Sequence, residues 1–519
     1  MARPLQRAGD HAHASRADRI AGRHIMTGEA VGRGGWAVRA AFLVPLLAVL
    51  LLSAACTTNP ATGKRQVAPL VSVEQEARIG AEAHPKILEA YGGAYPDAKL
   101  GGYVAGIATR VARATNAPEM QYRVTVLDSP VVNAFALPGG YVYVTRGLMA
   151  LANDEAELAG VIGHEMGHVV ARHSAQRQTA AMGTTLLGAV LGAVIGNQAA
   201  SQAIGLGGQG ILAGYSRDQE FESDMLGVRY LAAAGYDPFG VADFLRTMGA
   251  QAAFEARLRN VPHDATRNDW LASHPATAAR VDAAISHARD AGSTPGQGTH
   301  NRDVYLRAMD GMLYGDRPED GIARGRDFVH PKLGFAFKAP AGFSIANSPA
   351  AVLLQGPDKT MVKFDSGKKD AVVEIGGYLV NQWAKGTQIS GLQRFKVNDM
   401  NAATATTRIG EYNARLVTIE YAPDRVYRFL MGTLPQAGTR HDAALQELVM
   451  SFRKISPAEA AAVKPLRLRI VAVKPGDTVA SLGRRMVYPD YREERFRVLN
   501  GLAAGDVLQP GRLVKIIAE

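Results

Sequence analysis

The stretch VIGHEMGHVVARH, residues 161–173, places three of the chain's 13 histidines and a glutamate in a run that otherwise reads as buried helix. Residues four apart on a helix share one face, so His164 and His168 can reach one ion with Glu165 beside it. H-E-x-x-H on a helix supplies two neutral nitrogen ligands and a carboxylate that takes a proton from a metal-polarised water. That chemistry is metal-assisted hydrolysis. Glycine costs about 1 kcal/mol inside a helix, so Gly163 and Gly167 point to close packing against another element. They fit less well with the alternative, a pair of histidines merely satisfied in a core.

A third ligand is needed. His173 lacks the glycine turn that would return it, because Ala171 and Ser174 stand where the longer metal motif has Gly and His. If the helix continues, His173 lies near 900° from His164, on the opposite face. It is therefore expected to be structural or at the surface. Downstream, YSRDQEFESDMLGVRY offers E-x-x-x-D in Glu220 and Asp224. On a helix both face the histidines, Glu220 toward the ion and Asp224 toward a ligand imidazole from behind. Glu222 sits about 200° around and should point away.

HEMGH with EFESD, preceded by NAFALPGGYVYVTRGLM, closely resembles the gluzincin metallopeptidase family that includes HtpX, the CAAX prenyl endopeptidase, mitochondrial Oma-type proteases and periplasmic BepA. The resemblance covers about residues 70–290. It implies one zinc ion on His164, His168 and Glu220, with Glu165 as general base and acid. It also implies that NAFALPGGYVYV is the edge strand of the active-site cleft, where a substrate peptide adds as a further strand near Asn133, Ala134, Phe135 and Ala136. In SHPATAARVDAAI the match extends to His274 and Arg280. His274 would approach the zinc as a switch-like ligand or stabilise the tetrahedral oxyanion, and Arg280 would pair with an acid near the site.

Around these residues the chain must supply elements to hold them. An amphipathic helix is expected from Val71 to Tyr91, with Ser72 as its cap, and a second from Lys99 to Ala114. YRVTVLDSP and GGYVYVTRG carry the strand period. Helices follow over 154–173, 219–234, 238–249 and 276–289. The Ala/Gly-rich stretch 179–214 reads as tightly packed core helix, or as a mobile or membrane-contacting segment. From 328 to 452 short β-type runs precede a helix, with no catalytic constellation. The fold class is therefore α+β and multidomain. A mainly helical zincin-type domain with a small sheet (56–315) precedes an α+β accessory domain (325–456). The tail (465–519) resembles a LysM-like module.

Length, composition and charge narrow the setting. At 519 residues the chain holds two to four domains. The formal charge of +10 is local: residues 1–55 carry seven Arg against three acids, and residues 464–519 carry eleven Lys or Arg against six acids. General nucleic-acid binding is thus disfavoured. The single cysteine, Cys56, excludes a disulfide framework. It ends WAVRAAFLVPLLAVLLLSAAC, the grammar of a bacterial export signal over 1–55. LLSAAC resembles a lipobox, which makes Cys56 a lipidation site and outer-membrane lipid a partner on the periplasmic side. The LysM-like tail implies peptidoglycan attachment. The reading is a zinc endopeptidase of the cell envelope acting on protein or peptide substrates, misfolded or unassembled ones above all. Two alternatives stand beside it: a chaperone or scaffold for outer-membrane protein assembly with little turnover, and a peptidoglycan-associated peptidase.

Overall fold

A computed structural model describes residues 56–67, 71–179, 214–258, 274–275 and 277–519. The chain divides into two compact units, 1–57 and 58–519, and the site lies in the larger. The export-signal reading (1–55) and nearly all of the Ala/Gly-rich stretch fall outside the described residues. No helix among the described residues is long and apolar enough to cross a membrane.

Helix α1 (Val73–Ala90) opens with a capping box between Ser72 and Gln75, with Glu74 and Glu76 in its first turn. Helix α2 (Ala98–Ala112) is capped by Asp97. Three strands follow: β1 (Arg123–Leu127), β2 (Ala134–Leu137) and β3 (Tyr141–Thr145), in the order β1-β3-β2. β3 runs parallel to β1 and antiparallel to β2. The β2–β3 turn uses Gly139 and Gly140, both at φ 84°, where a side chain would be strained. β2 is one edge of this sheet, and Asn133 lies just before it.

The pleat sends alternate residues to opposite faces. Ala134, Ala136, Val142 and Val144 join the main core. Phe135, Leu137, Tyr141 and Tyr143 pack with Ile87 of α1. Both faces are covered, which is why β3 is buried at every position although its sequence alternates like a half-exposed strand.

Thr145 caps the short helix α3 (Arg146–Leu151), and Asp154 caps α4 (Glu155–Val170). Helix α5 (Arg217–Ala233) starts on a capping box of Ser216 and Gln219. Helices α6 (Gly240–Leu258), α7 (Ala278–Asp290, capped by Thr277) and α8 (Arg302–Met309) complete the helical body.

The expected end of α4 is wrong. The helix stops at Val170, and Arg172 takes a left-handed φ of 58° before the chain turns helical again over 173–179. Few side chains adopt that conformation. Here the Arg172 guanidinium holds the reversal by donating to Glu76 and to the carbonyl of Val71.

After strand β4 (Leu313–Tyr314) come β5 (Ile322–Arg324), β6 (Asp327–His330) and β7 (Phe335–Lys338). A seven-stranded antiparallel sheet then spans 344–433, backed by helix α9 (Asp442–Met450) over a phenylalanine-rich core. The tail strands, Leu466–Ala472 and Leu513–Ala518, pair with each other, and the first also pairs with β4. Tail residues Leu468, Leu482, Phe496, Val514 and Ile517 share one core with α4 and α6.

Candidate metal centre

Helix α4 lies against α5 where both are stripped of side chains. A Cβ on Gly163 would meet Gly227 Cα at 3.4 Å, and one on Gly227 would meet His164 N at 3.2 Å. Gly167 sits equally close to Leu226 and Ser223. This contact brings the histidines of α4 and the acids of α5 within side-chain reach.

Donor atoms of His164, His168, Glu220 and His274 all lie within 4.8 Å of one another, and all four residues are buried. His164 Nε2 is 3.1 Å from His168 Nε2 and 3.3 Å from His274 Nδ1. Glu220 Oε1 is 2.8 Å from His274 Nδ1 and 3.5 Å from His168 Nε2, while Oε2 is 3.7 Å from His164 Nε2. Glu165, fully buried, sits beside the cluster with Oε1 3.8 Å from His274 Nε2.

Behind this group, Asp224 Oδ1 lies 2.9 Å from His164 Nδ1. Arg280 forks onto both Asp224 oxygens at 2.7 and 2.8 Å and reaches Glu220 Oε2 at 2.8 Å. The structure therefore brings His164, Glu165, His168, Glu220, Asp224, His274 and Arg280 into one cluster. Asn133 and β2 supply no donor to it, and β2 packs against α4 as a sheet edge.

Charge follows this geometry. Burial would raise the Glu220 carboxyl, but the surrounding imidazoles, His274 first, hold it well below the usual range. Burial likewise opposes ionisation of Asp224, and the Arg280 guanidinium overrides it. Burial alone would depress His164; its hydrogen bond to Asp224 lifts it instead. Burial dominates at His168 and pushes it far down, toward the neutral form.

Two features were not expected from the sequence. His173, expected to be structural or at the surface on the face opposite His164, is fully buried and returns to the site, with Nδ1 2.8 Å from His168 Nδ1 and Nε2 3.0 Å from Glu222 Oε2. The turn at Arg172 brings it back, and a single arginine carries little signal of such a turn. Tyr215 stacks on the His168 ring, centroids 3.7 Å apart, with the Arg177 guanidinium over its face. Aromatic residues before an E-x-x-x-D pair are too common to have singled it out.

The donor set fits a metal ion. If His164 donates Nδ1–H to Asp224, its Nε2 presents a lone pair. A second imidazole nitrogen faces it at 3.1 Å, and two lone pairs that close need a cation or proton between them. Tetrahedral zinc with bonds of about 2.0–2.1 Å sets its nitrogens roughly 3.3 Å apart. Two imidazoles and a carboxylate are also the donors zinc favours in catalytic sites.

Residues 99–288 match the family model "Peptidase family M48". This part of the chain is similar to peptidase family M48. Over 174 residues it is 30% identical to the mitochondrial metalloendopeptidase OMA1 of Schizosaccharomyces pombe, covering 32% of this chain and 50% of that protein. The OMA1 of Arabidopsis thaliana is 35% identical over 156 residues, 30% of this chain and 29% of that one. The beta-barrel assembly-enhancing protease of Escherichia coli is 27% identical over 200 residues, 36% and 40% of the two chains. The chain thus spans half or less of the length of these curated relatives. The M48 region contains α4, α5 and the His274–Arg280 segment, and so every residue of the donor cluster.

Proposed function

We propose that this chain is a zinc-dependent endopeptidase of the bacterial cell envelope that cleaves misfolded or unassembled proteins. The observation that carries the reading is the convergence of His164, His168 and Glu220 on one point with Glu165 buried beside it. Zinc held there supplies Lewis acidity, polarising the scissile carbonyl and acidifying water. Glu165 takes the proton of the attacking water and passes it to the leaving amine. Asp224 holds the His164 ring in the tautomer that offers Nε2, and Arg280 holds Asp224. His274 stands with one nitrogen among the donors and the other toward Glu165, so it is suited to follow the oxyanion or to close the site when substrate is absent. The edge of β2 turns alternate backbone groups outward: Asn133 pairs with Thr145 and Phe135 lies opposite Tyr143 of β3, which leaves the outward groups of Ala134 and Ala136 for an extended peptide to add on. That mode reads backbone more than side chains, which suits unfolded substrates.

The cell-envelope setting rests on the export-signal grammar before Cys56, with Cys56 as the lipid anchor. It is supported by similarity to beta-barrel assembly-enhancing proteases. In this proposal residues 56–315 form the catalytic domain, 325–456 an accessory domain and 465–519 a LysM-like element facing peptidoglycan.

Wild type and Glu165→Gln protein, incubated with an unfolded polypeptide and with purified sacculi, test the activity. Glu165→Gln should keep its zinc and lose roughly 10²–10⁴-fold in cleavage. Equal cleavage by the variant defeats the mechanism. Muropeptide release without protein cleavage replaces it with a peptidoglycan peptidase. Suppression of aggregation by both proteins without cleavage replaces it with a chaperone.

A further inference from the structure

The two histidines of α4 are held from behind in different ways. His164 turns Nδ1 directly onto the Asp224 carboxylate at 2.9 Å. His168 turns Nδ1 onto a second imidazole, His173 Nδ1, at 2.8 Å, with the ring planes at 70°. The other nitrogen of His173 lies 3.0 Å from Glu222 Oε2. Glu222 Oε1 in turn accepts from Asn59 Nδ2 at 3.0 Å and Thr62 Oγ1 at 2.9 Å. A chain of three links, forked at its end, therefore runs from the donor cluster to the segment 59–62.

Its direction follows from what each atom can do. An ionised carboxylate only accepts, so the proton between His173 and Glu222 belongs to His173 Nε2. With one proton on the ring, His173 Nδ1 is bare and accepts. The proton in the 2.8 Å contact then belongs to His168 Nδ1, which leaves His168 Nε2 with its lone pair toward His164 and Glu220. That is the form a metal ligand requires. The carboxylate thus selects the tautomer of His168 across an intervening ring. The left-handed turn at Arg172 is what places that ring there.

We propose that His173 and Glu222 are positioning residues for the metal centre, fixing the tautomer and tilt of His168, and that Asn59 and Thr62 orient Glu222 for this task. The inference rests on the reading of His164, His168 and Glu220 as metal donors. It assigns a purpose to a histidine that the H-E-x-x-H spacing leaves unused, and to a glutamate that points away from the ion.

Zinc affinity of the full chain, measured by chelator competition, tests it, with melting of the zinc-free proteins as the control for folding. Wild type should bind one zinc, and His164→Ala should abolish binding. His173→Phe should weaken zinc about 10–100-fold. His173→Asn puts an acceptor oxygen near the position of Nδ1, so it should recover most of that loss. Glu222→Gln should weaken zinc in the same direction by less. The double variant His173→Phe with Glu222→Gln should be no worse than His173→Phe alone, because both act through one path. Wild-type affinity in His173→Phe overturns the relay. So do equal losses in His173→Phe and His173→Asn, or additive losses in the double variant. If His173→Phe does not fold, Glu222→Gln decides, and wild-type affinity in that variant overturns it. Absence of zinc from wild type overturns the metal reading itself and this inference with it, an outcome distinct from the others.

Discussion

His300 stands between Asp154 and Asp237, with a ring nitrogen 2.9 Å from a carboxylate oxygen of each. Asp154 is the cap of α4, so this imidazole helps hold the start of the helix that carries the H-E-x-x-H residues. Its hydrogen bond to Asp154 leads the causes that push its pKa up to about 9, against about 6.5 in an unfolded chain. A raised histidine stabilises fully below pH 6.5, progressively less as the pH climbs to 9, and not at all beyond. The melting temperature of the zinc-free protein should therefore fall from pH 6.5 to 9.5 more steeply in wild type than in His300→Gln. Parallel slopes would remove this role. At this scale the sequence was legible where spacing fixes geometry: four residues put His164 and His168 on one face, and four more put Glu220 and Asp224 on another. It was illegible at His173. The reversal depends on an arginine at positive φ whose support comes from Glu76 and Val71, about a hundred residues upstream.

Among the elements, the contact of α4 with α5 decides the most. Glycines at 163 and 167 announce that some neighbour comes close, but a helix's own sequence cannot say which one. The partner is Gly227, one turn beyond the Glu220–Asp224 face, and its identity depends on long-range packing. Gly227→Val would drive a Cβ to 3.2 Å from His164 N and 3.5 Å from the Gly160 carbonyl, and then add two methyls. Overpacking of this kind costs about 1–3 kcal/mol. Chemical denaturation should show that loss, together with weaker zinc retention as His164 moves relative to Glu220. A variant with unchanged midpoint and unchanged zinc would mean that the helices part without consequence. The sheet shows a similar limit: β2 and β3 were readable as strands, whereas burial on both faces follows from α1, which lies far off in sequence.

Across the whole molecule, the tail is joined to the helical body. Lys515, on the last strand, is fully buried and donates to the carbonyls of Ala150, Leu151 and Ala152. These carbonyls close α3 and lead into the cap of α4. Lys515 counts toward the basic surplus of the tail, yet it is not available to an anionic partner. Charge counting cannot separate a solvated lysine from one that serves as the C-terminal partner of a distant helix. Lys515→Met should leave these acceptors unpaired and cost roughly 2–4 kcal/mol, read as a lower urea midpoint for the helical body and not for the tail alone. An unchanged midpoint would separate the two. The glycine contact also bears on ion discrimination. Because backbone meets backbone between the two donor-bearing helices, the gap between His164 and Glu220 cannot close further around a smaller ion. Calcium, which takes six to eight oxygens at about 2.3–2.6 Å, is disfavoured by a donor group of three imidazoles and one carboxylate. Cobalt and nickel suit the same donors, and copper binds such nitrogens more tightly than zinc. The donor set therefore turns away oxygen-seeking ions, the helix contact keeps it from closing, and the choice among similar ions is left to the supply around the protein.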